Sequence, residues 1–157
     1  MPTFDSKMPP QGFEVMSPKS CDIAPPSFLG YTSLFTLMYD DFTVTDRWTG
    51  QPVHCIYQAL ILAISTRHAD AVDVKFLANG RPVWIALPHP AWGEYNKRTG
   101  RVITDPMAVQ AAGRYLKTAI EGGENGGREM HLLTVEDTMR QIEGLQQDFA
   151  NDSKRKA

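Results

Sequence analysis

The dipeptide Asn79-Gly80 limits the local fold more than any other feature of this sequence, because it joins two strand-like runs, VDVKFLA and RPVWIAL. Asparagine followed by glycine favours a type I′ turn, in which both central residues need a positive φ. A two-residue turn at this point pairs Phe76 with Val83 and Val74 with Ile85, which collects apolar side chains on one face. The sequence therefore predicts an antiparallel hairpin whose tip is Asn79-Gly80.

The segments before this hairpin suggest two further kinds of element. Residues 32–48 carry β-branched and aromatic side chains at every second position, interrupted by Asp40-Asp41, which favours two strands in a hairpin. Residues 52–65 have apolar side chains at helical spacing around most of the circumference, and Pro52 suits a first helical turn. We therefore expect a central buried helix over residues 52–65.

The C-terminal half predicts one short strand and two helices. Residues 101–104, RVIT, have the composition of a strand. Asp105 is the expected cap of a helix and Pro106 its first residue, and Gly122-Gly123 would end this helix. Thr134, with Asp137 in the capping-box position, begins the last helix.

Strands followed by helices favour an α+β fold with a mostly antiparallel sheet. The expected architecture is two hairpins packed on the central helix, with two C-terminal helices and a Pro-rich extended N-terminal arm. The expected segments are an arm (1–27), an α+β core (28–121), a Gly-rich connector (122–127), a helical segment (128–150) and a flexible tail (151–157). Six of the eleven prolines lie in residues 1–26, with apolar residues between them, so this arm either docks on a protein surface or stays flexible.

Composition excludes several classes of function. A net charge of −2 and a pI of about 6.1 give no overall attraction to nucleic acid or to an anionic membrane. The unbroken apolar runs are too short to span a bilayer, and the N-terminus has no signal-peptide pattern. We expect a cytoplasmic protein of bacterial or phage origin, with Cys21 and Cys55 as reduced thiols.

Four side chains are the candidates for an enzymatic function: His54, Cys55, His89 and Glu94. They would serve a small hydrolase or glycosidase whose pocket lies between the helix 52–65 and the loop 88–101. Cysteine needs an electropositive, accessible pocket to act as a nucleophile, and Cys55 in an apolar segment is more typical of a small core residue. No metal-ligand spacing and no nucleotide-binding glycine motif occurs, so we expect neither a metal nor another cofactor.

Residues 30–60 contain GY, then FTV, then YQAL, and this segment resembles the opening of NADAR-type N-glycosidases over about a fifth of the chain. That family has a glutamate just before the aromatic-x-Gln-Ala step. His54-Cys55-Ile56 stands there in this sequence, so the resemblance assigns no catalytic residue.

The loop after the second hairpin mixes aromatic and basic side chains, a pattern suited to an acidic partner or to stacking on bases. These candidate partner-binding residues are Trp92, Tyr95, Lys97, Arg98 and Arg101. In the alternative interpretation, Trp92 and Tyr95 cover the hairpin core and the basic residues are solvated. The sequence favours a non-catalytic protein-binding or assembly module that acts through a protein partner or as a homo-oligomer, while nucleic-acid binding through the basic residues is a further alternative.

Overall fold

The computed structural model describes residues 38–63, 70–124 and 127–157. The elements, in chain order, are β1 (Asp41–Thr45), β2 (Pro52–Ala63), β3 (Ala71–Ala78), β4 (Arg81–Pro88), α1 (Pro90–Thr99), α2 (Asp105–Gly122), β5 (Met130–Leu132) and α3 (Val135–Lys156). The strands form one sheet in the order β1-β2-β3-β4-β5, antiparallel except for the parallel pair β4 and β5. The predicted α+β class with a mostly antiparallel sheet is confirmed. The arm predicted for residues 1–27 lies outside the described residues.

The hairpin β3–β4 has the predicted turn and the predicted register. Asn79 and Gly80 have φ values of 49° and 80°, as a type I′ turn requires. Phe76 pairs with Val83, and Val74 pairs with Ile85. Because directly paired residues share a face, this register brings the apolar side chains of both strands together.

The helix predicted for residues 52–65 is wrong, because Pro52–Ala63 form the long strand β2. A β-bulge between Tyr57 and Ala59 inserts Gln58 into the strand. Buried Cys55 and half-buried Tyr57 and Leu60 then share one face, although Leu60 follows Tyr57 by three positions instead of the usual two. Because of this extra residue, the inner-face apolar residues of β2 have the sequence spacing that is typical of a helix.

The first hairpin joins β1 to β2 through a turn over residues 46–51. The backbone N–H of Asp46 donates to the carbonyl of Gln51, and the Asp46 carboxylate accepts from the N–H of Trp48. The strand predicted after Asp40 is confirmed as β1. Of its expected partner, which ended at Tyr39, residues 32–37 lie outside the described residues and residues 38–39 form no strand. The partner that the structure shows is β2.

The structure differs from the expectations for the C-terminal half at four places. Helix α1 occupies Pro90–Thr99, which the sequence suggested was a loop, and residues 101–104 form no strand. Helix α2 begins one residue earlier than expected, with Thr104 in the cap position, and it ends at Gly122 before a left-handed Gly123. The tail expected to be flexible continues helix α3 to Lys156.

The predicted start of helix α3 is confirmed. The Thr134 hydroxyl accepts from the N–H of Asp137 at 3.1 Å and donates to the Asp137 carboxylate at 2.7 Å. These bonds satisfy a backbone donor that would otherwise lack a partner in the first helical turn.

The two faces of the sheet have different surroundings. On the inner face, alternate residues of β3 and β4 such as Val74, Phe76 and Ile85 pack with Leu116 of α2 and Ile142 of α3 in one buried core. We call the opposite side of the sheet the outer face. Its side chains include Asp41 of β1, His54, Ile56, Ala59 and Ile61 of β2, Asp73, Lys75 and Leu77 of β3, Pro82, Trp84 and Ala86 of β4, and Met130 and Leu132 of β5. Among the described residues, none of these outer side chains belongs to the shared core.

Candidate binding surface

The four candidate catalytic groups lie at two opposite ends of the sheet. The N–H of His54 donates to the side chain of Asn79, just beyond one end of β3. The N–H of His89 donates to the carbonyl of Asp70, just before the other end of β3. Asn79 follows Asp70 by nine positions of extended chain, which corresponds to roughly 30 Å. The predicted pocket therefore cannot unite His54 and Cys55 with His89 and Glu94.

The surroundings of these side chains also argue against a catalytic site that they share. Cys55 is fully buried on the inner face, and burial raises the pKa of its thiol to about 11. A thiol with that pKa is protonated near neutral pH and is a poor nucleophile. His54 pairs with the Asp41 carboxylate on the exposed side of β1 and β2, while Glu94 pairs with Arg98 one turn along α1. The three groups thus contact different parts of the chain.

The described part of the chain contains no group of three or more His, Cys, Asp or Glu side chains arranged to hold a metal ion. Two of the aspartates around the first turn have other contacts: Asp41 pairs with His54, and Asp46 caps the turn. None of the helices within the described ranges is both long and apolar enough to cross a bilayer.

Helix α1 divides the predicted partner-binding residues between the core and the solvent. Tyr95 is only 2% exposed, and its hydroxyl accepts from the Gln146 side chain of α3. Trp92 is half-buried, and its indole N–H donates to the carbonyl of Ile103 at 3.1 Å. Both aromatic rings therefore hold α1 and the following loop on the domain.

The three basic residues at the end of α1 remain on the surface. Lys97, Arg98 and Arg101 are exposed, and Arg98 forms its ion pair with Glu94 at 2.8 Å. The structure brings the predicted residues together along one short segment, but it leaves only these cations available for a contact with another molecule.

The outer face of the sheet exposes more apolar surface than helix α1 does. Four large apolar side chains there are solvent-exposed: Ile56 (37%), Ile61 (46%), Met130 (40%) and Leu132 (73%). They come from β2 and from β5, on either side of the half-buried Leu77 and Trp84. We call these side chains the patch; exposed apolar side chains grouped on one face are typical of an interaction surface.

Two charged residues lie in the middle of this patch. Lys75 and Asp73 are successive outer-face residues of β3. The Lys75 ammonium lies 5.4 Å from the centroid of the Trp84 ring, a cation–π contact that keeps the charge on the face. Asp73 also takes part in an interaction within its own chain. The patch is therefore apolar with one positive and one negative group at its centre.

A polar cluster that the sequence did not indicate joins α2, α3 and the start of β1. Arg114 donates to Asp148 at 2.8 Å and to Gln141 at 2.7 Å, and the Tyr39 hydroxyl donates to Asp148 at 2.9 Å. Burial and the Asp148 carboxylate raise the pKa of Tyr39 to about 12, so its hydroxyl stays a donor. These groups satisfy one another, which favours a structural role in holding the helices together.

The outer face was missed because β2 was interpreted as a helix. The alternation in β3 and β4 already assigned Asp73, Lys75, Leu77 and Trp84 to one side of a hairpin, but it did not show which elements would cover that side. The sequence signal for the patch is the unbroken apolar run in β2. A strand with one buried face needs an apolar residue only at every second position, whereas this run has apolar residues at consecutive positions.

No protein-family model, no curated protein and no solved structure matches the chain. The resemblance of residues 30–60 to NADAR-type N-glycosidases is therefore unsupported by a family match, and its YQAL step lies on strand β2.

Proposed function

We propose that this protein is a non-catalytic binding or assembly module, which contacts a protein partner or a second copy of itself through the outer face of its sheet. The observation that supports the proposal is the exposure of Ile56, Ile61, Met130 and Leu132 on one face. Removing such side chains from water contributes roughly 25 cal/mol per Å² of apolar surface, so covering this face favours association.

The basic end of α1 is a proposed secondary contact. Lys97, Arg98 and Arg101 would attract an acidic partner and accelerate the encounter, because rim charges act mainly on association rates. The cytoplasmic location expected from the sequence belongs to the same proposal, and the unpaired thiol of Cys55 agrees with it.

A pair of lysine substitutions tests the proposal. Ile61→Lys combined with Met130→Lys puts two charges on the outer face, whereas Val102→Lys alters a side chain that is 64% exposed in the loop before α2. We expect the double variant to lose the oligomeric state or the protein partner of the wild type, and the Val102 variant to keep it. Light scattering after size-exclusion chromatography, and direct binding to the purified partner, measure the two cases.

Circular dichroism and the melting temperature show whether each variant is folded. A folded double variant that keeps both the oligomeric state and every directly bound partner of the wild type would contradict the proposal.

A further inference from the structure

We infer that the occupant of the outer face is a second copy of this chain, packed sheet on sheet about a two-fold axis that runs across the strands at the level of Val74. This inference rests on the proposed function, since it names the partner of the same surface. Its support comes from the order of the side chains on the face, which is complementary to itself under that rotation.

The strand register arranges the centre of the outer face in two rows. One row, running from β2 to β5, contains Ala59, Lys75, Trp84 and Met130; the next contains Ile61, Asp73, Ala86 and Leu132. A two-fold axis between the rows places each row against the other row of the partner copy. Such an interface is isologous, because the same patch is used on both subunits.

Charge is complementary in this arrangement. Lys75 of one copy faces Asp73 of the other, and the reciprocal pair forms on the far side of the axis. A two-fold axis parallel to the strands and centred on β3 would instead put Lys75 opposite Lys75, and like charges in contact cost several kcal/mol. The charge order on β3 therefore favours the axis across the strands over that one.

Size is complementary as well. On β4 the large Trp84 faces the small Ala86. On β2 the exposed Ile61 faces the small Ala59. Large side chains opposite small ones let two sheets interdigitate at the roughly 10 Å separation of packed sheets.

The size of the face sets the strength of the contact. Strands β2, β3 and β4, at about 4.8 Å spacing and about 26 Å length, with the three residues of β5, give a projected area on the order of 400 Å². The accessible area is larger than this projection, because side chains project from the face. Stable specific interfaces begin at about 600 Å² on each partner, so the area is that of a weak, concentration-dependent dimer.

The test uses the full chain and two charge-reversal variants, Lys75→Asp and Asp73→Lys. Each variant alone would place like charges opposite each other, and we expect its dimer affinity to fall by roughly tenfold or more. In an equimolar mixture the two acidic residues of one variant face the two basic residues of the other, so a heterodimer should form. Sedimentation velocity over a concentration series measures both results.

A second pair of variants tests the same register by size and does not alter charge. Ala59→Ile gives two large residues opposite two large ones, and Ile61→Ala gives two small ones opposite two small ones. Each should weaken the dimer, and their mixture should restore it. This pair decides the question if a charge-reversal variant fails to fold by circular dichroism.

A wild-type chain that stays monomeric at millimolar concentration would overturn the inference, and so would a dimer whose affinity none of the four variants changes. Neither result would remove the proposed function. That proposal fails if the folded Ile61→Lys, Met130→Lys double variant keeps both the oligomeric state and every directly bound protein partner of the wild type.

Discussion

The inner and outer faces of the sheet are made by the same strands, yet their side chains have different roles. Along β3, Val72, Val74 and Phe76 are buried against the helices, while Asp73 and Lys75 between them are half-buried on the other side. Period-two alternation therefore supplies one face that stabilises the domain and one that remains available for contacts. Apolar residues outside the core, such as the exposed Ile61, therefore contribute less to the stability of this domain than the inner residues do.

The largest contrast between the faces should be in thiol reactivity. In a Cys21→Ser background, Cys55 on the inner face should react with a thiol reagent only when the domain opens, because it is fully buried. Its neighbour Ile56 points outward, so an Ile56→Cys thiol should react at least about a thousandfold faster. The absorbance of the chromophore that the reagent releases on reaction measures both rates. Similar rates for the two positions would remove the distinction between the faces.

Truncation of adjacent residues in β3 should change stability unequally. The ring of Phe76 packs edge-on against the rings of Phe42 and Tyr57, and Phe76→Ala should cost about 3–5 kcal/mol of unfolding free energy. Leu77→Ala removes an outer side chain and should cost about 1 kcal/mol. Urea unfolding at one protein concentration compares the two. Equal losses would mean that the outer face contributes to the core as much as the inner face does.

Two glycine substitutions test how tightly the helix layer packs. A Cβ at Gly113 of α2 would lie 2.7 Å from the Cβ of Tyr39 and would also meet the Tyr39 carbonyl, so Gly113→Ala should cost about 1–3 kcal/mol. A Cβ at Gly93 of α1 would meet no atom within 4 Å, and Gly93→Ala should add up to about 1 kcal/mol through helix propensity. Thermal unfolding gives the sign of each change, and a stabilising Gly113→Ala would contradict the close approach.

The smallest effect concerns pH and the short strand β5. His131 points inward, and burial, followed by the nearby Arg128, lowers its pKa despite the opposing charge of Glu124. The unfolded chain then binds a proton at higher pH than the folded chain does, so stability present above pH 6.5 is lost as the pH falls below it. His131→Leu should flatten this dependence, whereas Leu132→Ala on the outer side should keep it. The measurement is the unfolding free energy from about pH 5 to about pH 8. If its slope against pH is the same in the His131 variant as in the wild type, His131 is not the cause of the pH dependence.

The hairpin β3–β4 and the strand β2 show where sequence patterns succeed and fail. The Asn79-Gly80 turn acts locally and fixes the pairing of every residue in both strands, so the prediction needed no tertiary information. In β2 the bulge at Gln58 shifts the alternation, and apolar residues on both faces remove the period-two signal. Which period prevails there depends on pairing with β1 and β3, and the local sequence does not contain that information.

Helix α1 had a readable signal that the prediction did not use. Pro90 stands at its start, and Gly100 ends it in the left-handed region, with a φ of 68°. Ala91 and Tyr95 give it one buried side at helical spacing. The alternative interpretation, in which Trp92 and Tyr95 cover the core, agrees with the positions of these two side chains in the structure. The outer face required the tertiary structure, because only the positions of α2 and α3 show which side of the sheet they leave uncovered.

The parallel pairing of β4 with β5 has a consequence for how the chain folds. Residues 89–129 separate the two strands, whereas two residues separate β3 from β4. Closing a long loop costs more entropy than closing a tight turn, and folding slows as contacts become more distant in sequence. The hairpin should therefore form early. Strand β5 should join it late. The edge of β4 that β5 covers should therefore stay unpaired after the hairpin itself has formed.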